Sequence, residues 1–409
     1  MRRKVLWLCA EPMARGQSGS ASGFWKDSLH ARLARQPGVE IVVGSPGPSY
    51  GISDNGTATF RFPRRRGDWR LPDVTSADFS RIIETVRPDL IHVHGTETTI
   101  GQVVEHTHVP VVVSLQGFIS ESYEAVLGGI PPPIWRRYRS LREAVVGGGF
   151  PGLHASWQQS AQGEVRVLMA NRHFIGRTAF DLRVLRKHNP AASYYGGREM
   201  LREDFFRGSW DIGTCVPHRI YCPGFSNPLK GFHVLLDAAR LLLRDFPDLL
   251  LCTPGEITPR SQSPLVGNAY HRYLADTIRR GGLKQHVRFL GRLDGGSVFR
   301  ELTKASVFAV SSLIENSSNA LGEALAVGCP AVVANPCGGL QSLLGSEAVA
   351  LPFAQGDAAA LAEAIRRVFS DGSLATQLSK KARNRAVDLH GPEGIAEEYV
   401  TIYGKVIDS

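Results

Sequence analysis

The sequence lacks the short signatures of several enzyme classes. It contains no GxxxxGK[ST] phosphate loop and no GxSxG nucleophile elbow, and the glycine-rich loop after the first predicted strand, residues 16–23, is not a GxGxxG dinucleotide fingerprint, so the chemistry of those classes is not indicated. No Asp-x-Asp occurs anywhere, and a metal clamp on a diphosphate therefore has no obvious carrier. The cysteines form no Cys-x-x-Cys pair, which indicates scattered reduced thiols rather than a zinc site.

Long apolar runs are also missing. The longest uncharged stretch, residues 324–346, is interrupted by Pro330, Pro336 and glycines, which makes it a poor transmembrane helix. The apolar run that follows Met1-Arg-Arg-Lys4 is too short for a signal peptide. We therefore expect a cytoplasmic protein, and contact with the inner face of a membrane stays open.

Composition describes a folded, basic protein of two or three domains. A length of 409 residues sets that domain number, and 43% hydrophobic with 21% charged residues excludes long disorder. The net charge of +9 favours anionic partners such as nucleotides, acidic lipids, polyanionic glycans or nucleic acids. Arg64-Arg65-Arg66 would suit a polyanion, but no aromatic–basic alternation or known module supports a nucleic-acid partner.

Short apolar runs alternate with segments of helical period along the whole chain. Val5–Cys9 and Leu90–Val93 are predicted strands of a first half, and a second half begins near His218. This alternation predicts an α/β fold with doubly wound parallel sheets. The halves join near residues 207–217, and the block 127–162 fits no simple βα unit.

The most specific local pattern places two carboxylates around the start of a predicted helix. Glu315-Asn-Ser-Ser-Asn-Ala-Leu-Gly-Glu323 follows a strand, and the helix begins near Ser318 or Asn319. Free N–H groups at a helix start bind anions, and carboxylates accept hydrogen bonds from hydroxyls, so the pattern suits a phosphate flanked by sugars. Ordinary N-capping with Glu323 as a dipole partner explains the same residues equally well.

Two weaker patterns occupy loops of the second half. Lys230-Gly231 lies just before a helix, where a lysine can meet a diphosphate or simply be solvated. Gly338-Gly339 follows a strand, where glycines allow close backbone approach to a ligand or form an ordinary tight turn.

In the first half, histidines and a glutamine end predicted strands. His92 and His94 end one strand and Gln116-Gly117 ends another, at the edge where α/β sheets bind ligands. We expect His92 and His94 to point to opposite faces, which would prevent them from holding one metal. His94 is either a site residue or a hydrogen-bonded core histidine.

Taken in order, these patterns resemble the family-4 glycosyltransferases, which have the GT-B architecture. The resemblance runs through nearly the whole chain and includes Arg87-Pro-Asp-Leu-Ile-His-Val-His-Gly95 and Val287-Arg-Phe-Leu-Gly-Arg292. It implies two Rossmann-like domains facing a cleft. Residues 1–211 would bind the acceptor, residues 212–390 would bind a nucleotide-sugar, and residues 391–409 would form a helix that returns to the first domain.

The resemblance also implies roles for individual residues. Glu323 would hold the donor ribose, Glu315 would contact the transferred sugar, and Lys230 would neutralise the diphosphate. The expected catalytic residues are Glu315, Lys230, His94 and Gln116. The expected donor-binding residues are Glu323, Asn316, Ser317, Ser318, Asn319, Gly291, Arg292, Leu293, Gly23, Arg177, Gly338 and Gly339.

Two positions depart from the family pattern. Phe225 stands where the family usually has a phosphate-binding arginine, and Gln116 stands where it often has histidine. Arg177 is a candidate replacement for the missing cation. The Gln116-Gly117 and Ile175-Gly-Arg-Thr178 motifs resemble those of a bacterial subgroup that makes surface glycans and related conjugates.

The implied reaction is retaining transfer of a sugar, from a UDP- or GDP-sugar above all, to a glycan, lipid-linked or small-molecule acceptor. It would proceed without metal or other cofactor, by front-face attack. A non-catalytic GT-B subunit, a sugar-nucleotide epimerase and, less strongly, a polyanion-binding protein remain alternatives.

Cations and aromatic residues stand together within the block 127–162. Trp135-Arg-Arg-Tyr-Arg139 follows Pro131-Pro-Pro133. The mixture suits an interfacial segment on an anionic membrane. A solvated basic face with Trp135 as a core anchor is the other interpretation.

Overall fold

A computed structural model describes residues 2–10, 24–47, 51–54, 58–63, 74–346 and 348–409. Within them, the first domain is built on an eight-stranded sheet of order β3-β4-β2-β1-β5-β6-β7-β8. Its strands are β1 (Arg3–Cys9), β2 (Val39–Gly47), β3 (Gly51–Asp54), β4 (Ala58–Pro63), β5 (Leu90–His94), β6 (Val111–Ser114), β7 (His173–Gly176) and β8 (Ser193–Gly196). Only the edge pair β3–β4 is antiparallel among these described strands.

Helices cover both faces of this sheet, which explains its continuous apolar strands. They are α1 (Phe24–Leu33), α2 (Ser76–Val86), α3 (Ile119–Ser122), α4 (Pro132–Tyr138), α5 (Leu141–Val145), α6 (Gly149–Ala170), α7 (Ala179–His188) and α8 (Asp204–Arg207). Capping boxes begin α2 at Thr75 and α7 at Thr178, where side chains satisfy free N–H groups of the first turn.

The second domain has a parallel sheet of order β11-β10-β9-β12-β13-β14. Its strands are β9 (Arg219–Tyr221), β10 (Leu250–Thr253), β11 (Val287–Phe289), β12 (Val307–Val310), β13 (Ala331–Asn335) and β14 (Leu351–Ala354). The remaining helices are α9 (Phe232–Leu242), α10 (Ala269–Arg280), α11 (Gly295–Lys304), α12 (Asn319–Val327), α13 (Leu340–Leu344), α14 (Ala358–Ser370), α15 (Gly372–His390) and α16 (Ile395–Ile407).

The last helix, α16, packs on the first domain. Tyr403 and Ile402 are buried in the same cluster as Trp7 and Val5 of β1. The Tyr403 hydroxyl accepts a hydrogen bond from Trp7 Nε1 (3.1 Å) and lies 2.8 Å from His92 Nδ1. The chain therefore crosses from the second domain back to the first before it ends.

The block 127–162 joins the two domains. Ile130, Tyr138 and Phe150 are buried in the core cluster of the second domain, although they fall within the range 1–211 assigned to the first. Helix α6, which carries Phe150, contacts α3 and α7 of the first domain. The predicted boundary at residue 211 separates the strands of the two sheets but not their cores.

Packing of this block favours the core-anchor interpretation of Trp135. Its ring is half-buried and stacks on Phe150 at 6.2 Å, and its Nε1 donates to Ile130 O at 2.5 Å. Tyr138 is buried and bonds to the Asp276 carboxylate. Both rings face the second domain, so the interfacial-segment interpretation loses its aromatic side chains, while Arg136 and Arg137 stay exposed.

Among the described residues, no helix combines the length and the apolar character needed to cross a bilayer.

Candidate functional site

A cavity of about 780 Å³ opens at the carboxyl ends of the strands of the second sheet. Its walls are the loops that follow β9, β10, β11 and β12, together with the start of α12. Parallel strands present these ends at one edge, where loops and helix N-termini converge on ligands. Glu315 of the carboxylate motif and Lys230 both line this cavity, whereas Glu323 lines a smaller cavity beside it.

Helix α12 begins at the cavity wall. Ser318 is its N-cap, and the Ser318 hydroxyl accepts a hydrogen bond from Leu321 N at 3.3 Å. Of the two starts predicted for this helix, the structure places the cap at Ser318 and the first turn at Asn319. Ser317, Ser318 and Asn319 all line the cavity, so the partial positive charge of this helix end faces it.

Lys230 and Glu315 form an ion pair on the cavity wall. Lys230 Nζ lies 2.5 Å from Glu315 Oε1, and the Ser312 hydroxyl donates to the same oxygen at 2.7 Å. Lys230 keeps 34% of its side-chain surface exposed and Glu315 keeps 14%. Lys230 can therefore bind a phosphate in place of Glu315, and Glu315 can accept a hydrogen bond from a sugar hydroxyl in place of its contact with Lys230.

Close backbone contacts set the position of the Glu315 loop. A Cβ at Gly231, which has φ +64°, would lie 1.9 Å from Ser311 O. A Cβ at Gly338 or Gly339 would lie 2.1 Å from Glu315 O or Asn316 O, and Gly339 N donates to Glu315 O at 2.7 Å. The paired glycines thus press against the loop that carries Glu315, and only residues without Cβ fit there.

Glu323 is paired with a cation that the sequence did not reveal. Arg202 Nη2 lies 2.6 Å and Nε 2.7 Å from Glu323 Oε1. Burial raises the pKa of Glu323, while Arg202 opposes that rise. Both side chains line a smaller cavity that shares Pro223, Leu293 and Asn319 with the main one. Arg202 sits before β9 with no local motif, so nothing in the sequence marks it.

Phe225 forms an apolar wall where the resembling family has arginine. It is buried against Phe232 and Phe289 at 5.2 and 5.1 Å between ring centroids, and it lines the main cavity. Opposite it, Gly255 and Gly291 exchange two backbone hydrogen bonds. This pairing fixes the turn that carries Arg292 and Leu293, which also line the cavity.

Asn316 connects the two domains. Its amide Nδ2 donates to Gln116 O at 2.9 Å, and its Oδ1 accepts from the Thr178 hydroxyl at 3.0 Å. Only 6% of Asn316 is exposed. The Asn316 side chain therefore bonds to the first domain, while its main chain joins Glu315 to Ser317, which both line the cavity.

Arg177 is engaged by the first domain. It forms a buried ion pair with Glu199, and its Nη2 donates to the carbonyl oxygens of Leu115 (3.0 Å) and Gln116 (3.2 Å). Ser317 and Asn319 both hydrogen-bond to the Glu199 carboxylate. Arg177 therefore contacts the segment 315–323 only indirectly, through Glu199, and it does not line the main cavity.

Our expectation that His92 and His94 face opposite ways is wrong. Their ring centroids lie 4.0 Å apart, because residues two apart share one face of a strand. His94 packs edge-on against Trp7 at 4.4 Å, and neither of its ring nitrogens has a hydrogen-bond partner among the described residues. Burial lowers the pKa of His94 well below its ordinary value, so the ring is neutral. The structure places it in an aromatic cluster beneath the cleft.

A second cavity, of about 200 Å³, lies between the domains. Lys230 and Glu315 line one side, and Glu97, Gln116 and Trp157 line the other. The Gln116 side-chain amide nitrogen has no hydrogen-bond partner among the described residues. The Lys230–Glu315 pair therefore stands at the junction of the two cavities.

Glu97 is a second residue that the sequence analysis missed. Burial above all, and then the nearby Glu164 carboxylate, raise the pKa of Glu97 to about 7. One Glu97 oxygen accepts from Gly117 N at 3.1 Å, while Glu164 is buried and accepts from the Thr96 hydroxyl at 2.8 Å. Its place three residues beyond β5 was the available signal, because that is the ligand-binding edge of the sheet.

Two predicted features, Gly23 in its glycine-rich loop and the Arg64–Arg66 run, lie outside the described residues. Among the described residues, no group of three or more His, Cys, Asp or Glu side chains could hold a metal ion.

Comparison with known proteins finds a family match within the second domain. Residues 219–385 match the family of glycosyl transferases group 1. A phosphatidyl-myo-inositol mannosyltransferase of Mycobacterium leprae is 31% identical over 142 residues, which cover 34% of each chain. A glycogen synthase of Mycobacterium tuberculosis is 28% identical over 174 residues, 42% of this chain and 39% of that protein. The chain thus matches between a third and two fifths of these relatives' lengths.

Solved structures extend the likeness over both domains. A sucrose-phosphate synthase from Thermosynechococcus elongatus superposes with a TM-score of 0.72, at 18% identity, over 100% of both chains. The Anabaena protein HepE in complex with UDP and glucose gives 0.68 at 15% identity, covering 99% of this chain and 100% of that one. These matches confirm the predicted GT-B fold of two α/β domains.

Proposed function

We propose that the protein is a retaining glycosyltransferase that moves a sugar from a nucleotide-diphosphate sugar to an acceptor in the interdomain cleft. The observation that carries this proposal is the Lys230–Glu315 pair, placed at the start of α12 where the two cavities meet. The family match over residues 219–385 and the UDP-bound structural neighbours support a nucleotide-sugar donor.

The donor would occupy the larger cavity. Its diphosphate would lie against the N–H groups around Ser318 and against the Lys230 ammonium, which together stabilise charge that develops on the leaving group. Glu315, released from Lys230, would accept hydrogen bonds from hydroxyls of the transferred sugar. Glu323 would hold the ribose in the adjoining smaller cavity, where Arg202 already orients its carboxylate. Fixed cations and amides supply this stabilisation without metal.

The acceptor would enter the smaller interdomain cavity. The Trp157 ring can pack on the face of a sugar, and Glu97 can hydrogen-bond to one of its hydroxyls. The cavity therefore suits a glycan, a lipid-linked sugar or a small polyol. No side chain at the junction stands out as a covalent nucleophile, so we propose front-face attack in which a departing phosphate oxygen takes the acceptor proton.

The test is calorimetry and turnover with UDP-, GDP-, ADP- and dTDP-sugars. Glu323→Gln should weaken nucleotide binding about tenfold or more, because a hydrogen bond to a charged group contributes roughly 1.5–3 kcal/mol. Glu315→Gln should mainly slow transfer while leaving nucleoside diphosphate binding nearly unchanged. Glu363→Gln, on the exposed face of α14, is the matched control.

Three outcomes would contradict the proposal. Binding of nucleotide-sugar without any turnover or hydrolysis would indicate a non-catalytic subunit, and conversion of the donor without acceptor to an epimer would indicate an epimerase. Inversion of anomeric configuration in the product would remove the retaining mechanism.

A further inference from the structure

Several large apolar side chains lie exposed together on the block that joins the domains. Of the eleven that the described residues leave exposed, five belong to α5 with its C-cap and to the loop before α10. They are Leu141 (60% exposed), Val145 (78%), Val146 (68%), Leu265 (61%) and Val266 (44%). Single exposed aliphatic residues are normal, whereas a contiguous group marks an interaction surface. We call these five residues the α5 patch.

The two segments of the α5 patch are held side by side. Leu141 N donates to Pro264 O at 2.9 Å, and Arg142 N donates to Leu265 O at 2.8 Å. The Ser140 hydroxyl donates to Gly267 O at 2.8 Å from a buried position. The patch is therefore a built surface on the second domain, even though α5 precedes that domain in the chain.

The acidic side chain of α5 is held against the protein rather than among the exposed side chains of the patch. The acid within α5 is Glu143, and its carboxylate accepts from Ser140 N (2.9 Å) and from Ala269 N (3.0 Å). That carboxylate is thus turned toward the protein and committed to backbone N–H groups.

Exposed arginines accompany the apolar side chains. They lie on α4, on α5 and in the loop before α10, and they are Arg136, Arg137, Arg142 and Arg260. None of these four forms an ion pair with a described residue. Aliphatic side chains beside unpaired arginines form an amphipathic surface whose charge complements an anionic one.

We propose that the α5 patch docks on an anionic membrane surface, with its aliphatic side chains at the acyl boundary and the arginines on lipid phosphates. A second copy is a poor occupant, because a symmetric contact would place the arginines of both copies together. An acidic protein is also disfavoured, because the patch has no aromatic side chain, whereas strong protein contacts centre on buried aromatic anchors as well as on arginine.

The experiment is sedimentation of the full chain with phosphatidylcholine vesicles that contain or lack phosphatidylglycerol. We expect binding at low salt only when phosphatidylglycerol is present, and release as salt rises. Val145→Ser with Val146→Ser should weaken binding about tenfold, and Arg136→Ala with Arg142→Ala should weaken it about fivefold for each arginine. Nucleotide binding and the melting temperature should not change, because these side chains are exposed.

Matched controls come from exposed residues elsewhere. Leu241→Ser with Val387→Ser removes apolar surface outside the patch, and Lys380→Ala with Lys381→Ala removes charge from α15. The proposal is overturned if wild type fails to sediment with phosphatidylglycerol vesicles at low salt, if neutral vesicles bind equally, or if the patch variants match the controls. Light scattering that finds a wild-type dimer and a monomeric Val145→Ser, Val146→Ser variant would instead assign the patch to a second copy.

Discussion

Removing the charge of Arg202 should destabilise the protein in a strongly pH-dependent way. Arg202 Nη2 lies 2.6 Å from Glu323 Oε1, and the two side chains are 17% and 10% exposed. Arg202→Met keeps an apolar stem over Phe205, above which the guanidinium now lies at 4.4 Å. The variant therefore leaves a buried carboxylate without its cation, which costs about 3 kcal/mol at pH 8, the lower end for broken buried pairs.

The pH dependence follows from the carboxyl group that remains. Burial already raises the pKa of Glu323, and loss of Arg202 removes the main opposing interaction. The pKa of Glu323 in the folded state then lies further above its value in the unfolded state. The loss of folding free energy is therefore complete above the folded-state pKa, and it disappears at a pH where Glu323 is protonated in both states. The destabilisation should therefore shrink as the pH falls from 8 toward 4.

Urea denaturation at pH 8 and pH 5 measures this coupling in the wild type, the Arg202→Met and Glu323→Gln variants, their double variant, and an Arg202→Met, Glu363→Gln control. Adding Glu323→Gln to Arg202→Met should recover about 2 kcal/mol at pH 8, since the amide carries no charge to bury. Glu363→Gln should recover nothing, because Glu363 is exposed and pairs with Arg366 on the surface. Equal destabilisation at both pH values, or additive effects of the two substitutions, would refute the buried-pair argument.

Three further outcomes are expected. Glu97→Gln should stabilise the fold at pH 8 relative to pH 5 by about 1–2 kcal/mol in urea titrations, because a carboxyl with a pKa of about 7 disfavours the folded state as pH rises. The same substitution should abolish any change in acceptor KM near pH 7. Gly338→Ala should cost about 3 kcal/mol or more through its contact with Glu315 O, whereas Gly282→Ala, also at positive φ but with open space, should cost about 1 kcal/mol. Transfer activity should survive EDTA, and a loss restored by Mg²⁺ would contradict the proposed mechanism.

Strands buried on both faces were predictable, and a partly exposed edge strand was not. Val111–Val113 and Val307–Val310 are apolar throughout, so their sequence alone indicates a covered parallel strand. Tyr-rich Ser193–Gly196 is only partly buried at a sheet edge, and it has no such pattern. Helix α6 begins with Gly-Phe-Pro-Gly, which favours a turn, and its packing on both domains overrides that local preference.

Residues that follow strands of one sheet were easier to predict than a pair in which one residue belongs to no strand or motif. Lys230 and Glu315 lie 85 residues apart, yet both follow strands of one sheet, so their convergence at one edge could be expected. Arg202 and Glu323 lie 121 residues apart, and Arg202 belongs to no strand or motif. Hydrophobic periodicity does not predict where the Arg202 side chain lies, because its position depends on the folded path of the segment between β8 and β9.

The two domains form one site because each completes the other. Side chains that precede the second sheet fill its core, among them Tyr138, Phe150 and Trp210. From the other direction, the donor loop sends Asn316 into hydrogen bonds with Gln116 O and the Thr178 hydroxyl of the first domain. Each described strand belongs to one sheet only, whereas core side chains and hydrogen bonds cross from one domain to the other. A change in the relative position of the domains would therefore move Asn316 and, through the adjacent residue, the Glu315 carboxylate that faces the bound sugar in the proposed reaction.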